Sequence, residues 1–159
     1  MADAKDIADG LDRASRGAMN AALARTVPFP GTEESVRVGT DVVEIARIEN
    51  AISQWGDRFL ERSFSEDEIA YCESKRKPAQ HFAGKFAAKE AVFKALGLTW
   101  AGPFSWRMIE IVSAPSGAPE VRLHAGDAGA GDEDVSVSIS HTGGFAVAVA
   151  VSIHRRTAS

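Results

Sequence analysis

Residues 79–96 read AQHFAGKFAAKEAVFKAL, and this stretch decides the fold. Phe82, Phe86 and Phe93 recur at helical spacing, which predicts one helix with an aromatic stripe facing the core. Gly97 follows immediately and supplies a helix stop, since glycine adopts the left-handed conformation that commonly ends a helix. This is the clearest helix in the chain.

A second stripe runs along the same helix, formed by Ala83, Ala87, Glu90 and Lys94 at i, i+4, i+7 and i+11. The residues before Glu90 are small, which predicts room for a ligand against the helix backbone. A surface ion pair between Glu90 and Lys94 is the simpler alternative, because residues four apart face each other on a helix.

Elements on both sides of this helix define the fold class. The patterns before it predict a strand over 36–43, a helix over 44–55 and a helix from Glu66, opened by a Ser65–Glu68 capping box and closed by residues 75–78. The patterns after it predict strands over 106–112, 120–124, 135–140 and 145–153, with a loop over 126–134. This order predicts an α+β fold with a mainly antiparallel sheet packed against helices.

The length of 159 residues fits one domain with its own core. Residues 1–35 are rich in alanine and end in a turn-rich segment, so we interpret them as an N-terminal extension that is partly helical or mobile. The domain is expected over 36–153, followed by a short tail over 154–159.

Composition excludes several classes of protein. A net charge of −4 argues against a nucleic-acid binder. The single cysteine, Cys72, excludes an internal disulfide framework and fits a reducing compartment. No apolar run approaches the roughly 18 residues that span a bilayer. Because the first thirty residues also lack a signal-peptide pattern, we expect a cytoplasmic protein without a membrane segment.

Asp41 and Glu90 are the candidate metal ligands. Asp41 lies in a β-branched segment, where a carboxylate is costly to bury unless it is paired or binds a metal. The alternative is that it ends the strand and caps the next helix. Two carboxylates from separate elements suit Mg²⁺, which prefers oxygen ligands and is commonly shared with substrate phosphates. Four histidines and one cysteine without closely spaced pairs argue against zinc.

Basic residues near these carboxylates are candidate phosphate ligands: Lys94, His141, Lys85 and the run Lys75-Arg76-Lys77. His141 ends a strand before Thr142 and a Gly-Gly turn, where an exposed histidine without a role is the alternative. For the basic run, the alternative is a solvated helix end. The chain lacks the P-loop, the dinucleotide-binding glycine motif and the nucleophile elbow, and no pattern marks Cys72 as an activated nucleophile.

Three segments together resemble one family: VGTDVVEI at 38–45, FAAKEAVFKALG at 86–97 and VSISHT at 137–142. In this order they are similar to holo-acyl-carrier-protein synthase, the small bacterial-type 4'-phosphopantetheinyl transferase. The resemblance covers about residues 36–153. Each motif alone has modest specificity for the family, whereas the three motifs in this order are highly specific.

The resemblance implies a reaction. Asp41, Glu90 and the pyrophosphate of coenzyme A would hold Mg²⁺. A serine of an acidic acyl carrier protein would attack the β-phosphate, and 3',5'-ADP would leave. Glu90 would take the serine proton, through a water. Lys94 would bind the pyrophosphate as a further catalytic residue.

The resemblance also implies binding residues. His141 and the adjacent Thr142 would contact coenzyme A near its phosphates. The run Lys75-Arg76-Lys77 would contact the nucleotide end with its 3'-phosphate, and we add Lys85 to these coenzyme A-binding candidates as part of the basic set identified above. Arg47 lies on the helix that presents basic residues to the carrier protein in the family. The family further implies a homotrimer with active sites at subunit boundaries.

Two departures from the family pattern are visible. Relatives usually carry a helix where residues 125–134 read as a loop, and residues 1–35 are extra. Three other functions stay open: a non-catalytic relative that binds carrier protein or nucleotide, a magnesium-dependent hydrolase of nucleoside diphosphate compounds, and a structural, trimer-forming domain. Composition alone does not exclude the structural, trimer-forming domain.

Overall fold

The computed structural model describes residues 27–28, 34–98, 105–124 and 134–155. It confirms the predicted α+β class. The elements in chain order are β1 (Val27–Pro28), β2 (Glu34–Glu44), α1 (Ile45–Trp55), α2 (Asp57–Ser63), α3 (Glu66–Glu73), α4 (Pro78–Ala95), a 3₁₀ turn (Trp106–Met108), β3 (Ile109–Ser113), β4 (Pro119–Leu123), β5 (Asp134–Thr142) and β6 (Phe145–Arg155).

The main sheet is antiparallel, with the strand order β1-β2-β6-β5. Strands β5 and β6 form the predicted hairpin, in which Gly143 takes a φ of 52°, a backbone conformation that favours glycine. Strands β3 and β4 pair antiparallel in a separate two-stranded sheet. The main sheet therefore brings β2 and β6, which are far apart in the sequence, side by side.

Helix α4 packs across one face of the main sheet, and small residues bring the two backbones together. A Cβ atom at Gly39 of β2 would lie 1.9 Å from the carbonyl oxygen of Ala91. The β6 residues on this face are likewise small and buried: Ala146, Ala148, Ala150 and Ser152. Side chains alternate between the two faces of a strand. The large residues of β6, such as Phe145 and Val149, therefore lie on the opposite face and are exposed.

The aromatic stripe of α4 is buried as predicted. Phe82, Phe86 and Phe93 are each less than 5% exposed. Phe64 packs on Phe82 with ring centroids 5.0 Å apart, and Trp106 packs on both Phe86 and Phe93. One side of α4 therefore forms an aromatic core with Phe64 and the 3₁₀-turn residue Trp106, while the other side contacts the main sheet.

A buried ion pair and its hydrogen bonds link α3, α4 and β3. Glu68 of α3 and Lys89 of α4 are 2.7 Å apart and almost fully buried. Glu68 also accepts hydrogen bonds from the backbone N–H groups of Ser65 and Ile111. The predicted Ser65–Glu68 capping box is present, and its glutamate additionally ties α3 to β3 and α4. Burial lowers the pKa of Lys89, while the negative charge of Glu68 opposes this shift.

The structure corrects several predicted boundaries. Helix α2 was not predicted, because it is only seven residues long and follows α1 after the single residue Gly56. Residues Trp106–Met108 form a 3₁₀ turn instead of the start of a strand, since Ser105 caps this turn. Pro78 opens α4 at its first position, where its missing N–H costs nothing, instead of only closing α3.

Some expectations lie outside the described residues. These are most of the N-terminal extension, residues 126–133 of the predicted loop, and nearly all of the tail. The last residue of that predicted loop, Asp134, instead begins β5. Strand β2 begins at Glu34, two residues before the predicted strand. Within the described part of the chain, no helix is long and apolar enough to cross a membrane.

Candidate active site

Asp41 lies inside β2 and faces α4. It pairs with Ala148 of β6, three residues before the strand ends at Glu44. The residue that precedes α1 is Glu44, and it makes no side-chain cap. The alternative interpretation of Asp41 as a helix cap is therefore wrong. Gly39 and Asp41 share a face of the strand, so the close contact at Gly39 brings Asp41 beside α4.

Lys94 of α4 meets Asp41 directly. Its ammonium donates to the carboxylate oxygen Oδ1 of Asp41 at 2.8 Å and to the carbonyl oxygen of Thr40 at 2.9 Å. Both charged side chains are only about a tenth exposed, at 11% for Lys94 and 10% for Asp41. An ion pair at this depth is screened little by solvent, so it holds the strand and the helix in a fixed relation.

Glu90 lies one helical turn before Lys94 and is 4% exposed. Because Glu90 is buried, it does not form a surface ion pair with Lys94. The Lys94 ammonium instead contacts β2. The room expected beside Ala83 and Ala87 is also absent, because both are fully buried. The small residues serve close packing of α4, and the polar end of this stripe begins at Glu90.

The last turn of α4 is fixed by two residues that the sequence reasoning missed. Arg37 Nη1 donates to the carbonyl oxygen of Leu96 at 3.1 Å, and Ser152 Oγ donates to that of Ala95 at 2.8 Å. Carbonyl groups at a helix end lack intrahelical partners, so these bonds anchor the turn that carries Lys94 to the sheet. Neither residue shows a sequence pattern that distinguishes it from an ordinary strand residue.

His141 is exposed near the end of β5 and contacts the beginning of α4. Its ring nitrogen Nδ1 lies 2.7 Å from Nε2 of Gln80. The register places His141 opposite Ala146, on the face of the sheet that α4 covers. His141 is therefore not an isolated turn residue. Gln80 was not singled out from the sequence, because a lone glutamine carries no recognisable signal.

A basic and aromatic cluster adjoins this pair. The ammonium of Lys75 lies 4.0 Å from the centre of the Tyr71 ring, and that of Lys85 lies 4.8 Å from it. His81 packs edge-on against Tyr71. Burial lowers the pKa of His81, and the nearby positive charges of Lys75, His141 and Lys85 lower it further. Positive charge is thus concentrated where α3 meets α4.

Lys85 differs from the other predicted phosphate ligands. It is 5% exposed and its ammonium donates to the carbonyl oxygen of Ile111. The contact fastens α4 to β3, so the structure gives Lys85 a packing role and offers no support for phosphate binding. Arg76 and Thr142 are exposed, whereas Arg47 is half-buried on α1.

The two candidate metal ligands, Asp41 and Glu90, suit Mg²⁺ better than a metal whose ligands all come from the protein. Asp41 and Glu90 supply carboxylate oxygens from facing elements, which suits a hard cation that also takes substrate oxygens. In residues 34–98, 105–124 and 134–155, no group of three or more His, Cys, Asp or Glu side chains could hold a metal ion. Cys72 is buried, and burial raises the pKa of its thiol to about 12, so it is not a thiolate nucleophile.

The chain is similar to several known proteins. Residues 37–150 match the sequence model of the 4'-phosphopantetheinyl transferase superfamily. Holo-[acyl-carrier-protein] synthase of Koribacter versatilis is 41% identical over 114 residues, which cover 69% of this chain and 91% of that protein. The enzyme of the same name from Chlamydia pneumoniae is 43% identical over 121 residues, covering 76% and 98%.

A solved structure is similar as well. It is the crystal structure of Helicobacter pylori holo-[acyl-carrier-protein] synthase in complex with coenzyme A, which is 39% identical with a TM-score of 0.64. The match covers 72% of this chain and 98% of that one. The chain therefore belongs to the 4'-phosphopantetheinyl transferase superfamily, which confirms the family expected from its three motifs.

Proposed function

We propose that this protein transfers the 4'-phosphopantetheine group of coenzyme A to a serine of an acyl carrier protein. The single observation that carries the proposal is the contact between Asp41 on β2 and Lys94 on α4, with Glu90 one turn away. Relatives named holo-[acyl-carrier-protein] synthase supply the reaction class, and one of them is described with coenzyme A bound.

The reaction breaks the phosphoanhydride bond in the diphosphate of coenzyme A and forms a phosphoester bond to the carrier serine. The serine oxygen of the carrier attacks the β-phosphorus of coenzyme A, and the bond from that phosphorus to the bridging oxygen breaks. The departing group is 3',5'-ADP. Such transfers depend on in-line positioning and on neutralising charge more than on covalent help from the protein.

Asp41 and Glu90 would hold Mg²⁺, which supplies charge neutralisation at the diphosphate when it is bound. Lys94, whose ammonium is held by Asp41, would also bind a phosphate oxygen of coenzyme A. Glu90 is the candidate acceptor of the serine proton, directly or through a water. Its burial limits competition from bulk solvent.

The basic cluster at the start of α4 is the proposed site for the rest of the donor. Lys75 and Arg76 would contact the nucleotide end and its 3'-phosphate, and His141 with Thr142 would contact coenzyme A near the diphosphate. We leave Lys85 out of this set, because its ammonium is buried against Ile111. Arg47 on α1 is proposed to contact the acidic carrier protein.

We propose a homotrimer with active sites at subunit boundaries. The exposed face of the main sheet supports self-association, because four large hydrophobic residues lie there together: Val38, Val42, Phe145 and Val149, at 40–62% exposure. A contiguous apolar face on a small domain commonly marks an interface. In a closed assembly, a second copy would cover this face.

Mass spectrometry of an apo-carrier incubated with the protein, coenzyme A and Mg²⁺ tests the transfer. We expect the mass of one phosphopantetheine on the carrier and an equal amount of 3',5'-ADP. Asp41→Ala and Glu90→Ala should abolish the product. The matched control is Glu120→Ala, which removes an exposed carboxylate of β4. Equal product from wild type and both site variants would overturn the metal assignment.

A reaction without carrier separates transfer from hydrolysis. A magnesium-dependent hydrolase would release 3',5'-ADP from coenzyme A alone, whereas a transferase requires the acceptor. Absence of both reactions over a panel of apo-carriers, with coenzyme A binding intact, would instead indicate a non-catalytic relative.

A further inference from the structure

Gln80 and His141 form a hydrogen bond, and the orientation of the Gln80 amide sets its direction. Nε2 of Gln80 lies 2.7 Å from Nδ1 of His141. An amide nitrogen has hydrogens and no available lone pair, so it donates and never accepts. Nδ1 of His141 therefore accepts through its ring lone pair. A neutral imidazole with an unprotonated Nδ1 carries its proton on Nε2.

We propose that Gln80 is a positioning residue, which holds His141 in one ring orientation as the Nε2–H tautomer. The inference rests on the proposed function, in which His141 contacts coenzyme A near its phosphates. A phosphate oxygen only accepts hydrogen bonds, so a histidine that contacts it needs an N–H group on that side. Gln80 occupies Nδ1 and thereby makes Nε2–H the ring's donor.

The location of the pair fits positioning better than a contribution to folding. The hydrogen bond is exposed, and exposed polar pairs add little to stability because water replaces them. Gln80 lies in the first turn of α4, while His141 lies near the end of β5. The bond thus joins an exposed strand end to the buried helix that also carries Glu90 and Lys94.

The surroundings of the pair already carry cationic side chains. His81 follows Gln80 in α4, and burial lowers its pKa, as do the positive charges of Lys75 and Lys85. Lys75 and Lys85 both stack on Tyr71 beside it. A neutral donor at His141 offers an N–H group to an anion without adding another cation to this cluster.

Long-range ¹H–¹⁵N NMR of the full chain tests the tautomer without an activity assay. Measured at about pH 8.5, where ordinary imidazoles are neutral, wild-type His141 should show a protonated Nε2 and an unprotonated Nδ1. Gln80→Glu should reverse this pattern, because a carboxylate only accepts and requires a proton on Nδ1. Gln80→Leu keeps the size of the side chain and should give a mobile ring.

Kinetics supply the second readout. At the same pH, Gln80→Leu and Gln80→Glu should raise the KM for coenzyme A by about threefold to tenfold, the effect of losing one hydrogen bond, with kcat little changed. In a His141→Ala background, Gln80→Leu should have no further effect. The matched control is Gln54→Glu, the same change at an exposed position of α1.

The outcomes separate the two proposals. A wild-type His141 protonated at Nδ1, or an additive effect of Gln80→Leu in the His141→Ala background, would overturn the role of Gln80 even if the carrier is modified normally. Failure of the wild type to modify any carrier would overturn the proposed function, while the NMR result would still report the tautomer. If Gln80→Glu fails to fold, the Gln80→Leu variant and the wild-type spectrum still test the role of Gln80.

Discussion

Lys94 of the central helix and Asp41 of the first long strand form an ion pair, with the ammonium 2.8 Å from the carboxylate oxygen. They are 53 residues apart in the sequence, so the pair exists only in the folded domain. Breaking it from either side leaves a charge at one-tenth exposure without its partner.

Replacing Lys94 by methionine tests the pair. We expect Lys94→Met to lower the free energy of unfolding by about 2 kcal/mol, because Asp41 is then partly buried without a counter-charge. Urea denaturation measures this loss, and transfer to a carrier should fall with it. The double variant Asp41→Asn/Lys94→Met should be less destabilised than the sum of the single variants.

The control for that experiment is Lys77→Met, which removes an exposed lysine. It should change the free energy of unfolding by less than about 0.5 kcal/mol. A Lys94→Met protein as stable as the wild type would mean that the ion pair contributes nothing to the helix–strand contact.

Gly39→Ala should separate α4 from β2. Its Cβ atom would lie 1.9 Å from the carbonyl oxygen of Ala91 and 2.7 Å from the backbone nitrogen of Ala95, and backbone atoms cannot rotate away. We expect a loss of more than about 3 kcal/mol in urea denaturation, and a higher Mg²⁺ requirement in any folded fraction.

Gly84→Ala is a matched substitution in the same helix–sheet contact. Its Cβ would meet only the Cγ2 methyl group of Ile139, at 3.1 Å, and that side chain can adjust. Because alanine also favours the helix by about 1 kcal/mol, the net change should be small. Equal losses from the two variants would argue against a special backbone contact at Gly39.

Val42→Lys should disrupt self-association. Val42 is 62% exposed and lies opposite Val147, in the middle of the apolar face of the main sheet. A lysine there would have to bury its charge in an interface, which is costly. Sedimentation velocity should show a smaller species with unchanged secondary structure, while Glu120→Lys on β4 should leave the mass unchanged. A monomeric wild type would refute the trimer.

Glu110 should make stability depend on acid pH. Burial raises the pKa of its carboxyl group, but hydrogen bonds from Ser65 and His124 lower it more, so the folded-state pKa lies below the ordinary value of 4.5. The unfolded chain therefore binds the proton first as pH falls, and the stabilisation present above pH 4.5 is lost as pH drops through the folded-state pKa.

Denaturation at several pH values checks this effect. Glu110→Gln should be less stable than the wild type at neutral pH and should lose less stability on acidification. Glu120→Gln alters an exposed carboxylate on the adjacent strand and should retain the wild-type slope. Identical slopes for wild type and Glu110→Gln would refute the assignment.

Much of the fold follows from local sequence signals. The aromatic spacing of α4, the Ser65–Glu68 capping box and the Gly-Gly hairpin each act over a few residues, so they identify elements without tertiary information. Helix α2 escaped detection because it is short and its burial depends on the aromatic core, as with Phe59.

Long-range relationships were harder to predict. The alternation in β6 marks two faces, but bulk hydrophobicity does not reveal that α4 covers the alanine face and leaves Val149 exposed. In the candidate site, Asp41 was singled out by its β-branched segment and Lys94 by its helical stripe, whereas their direct pairing depends on the backbone contact at Gly39. Gln80 gains its significance only from the position of His141 on another element.

The direct backbone contact between α4 and β2 at Gly39 has a consequence for motion. Where Gly39 meets Ala91, there is no intervening rotamer to relax, so the helix and the strand open together or not at all. Their amide hydrogens should exchange with solvent at closely matched, slow rates. The ion pair of Asp41 and Lys94 would then be preset in the free protein, without waiting for a ligand to draw the two side chains together.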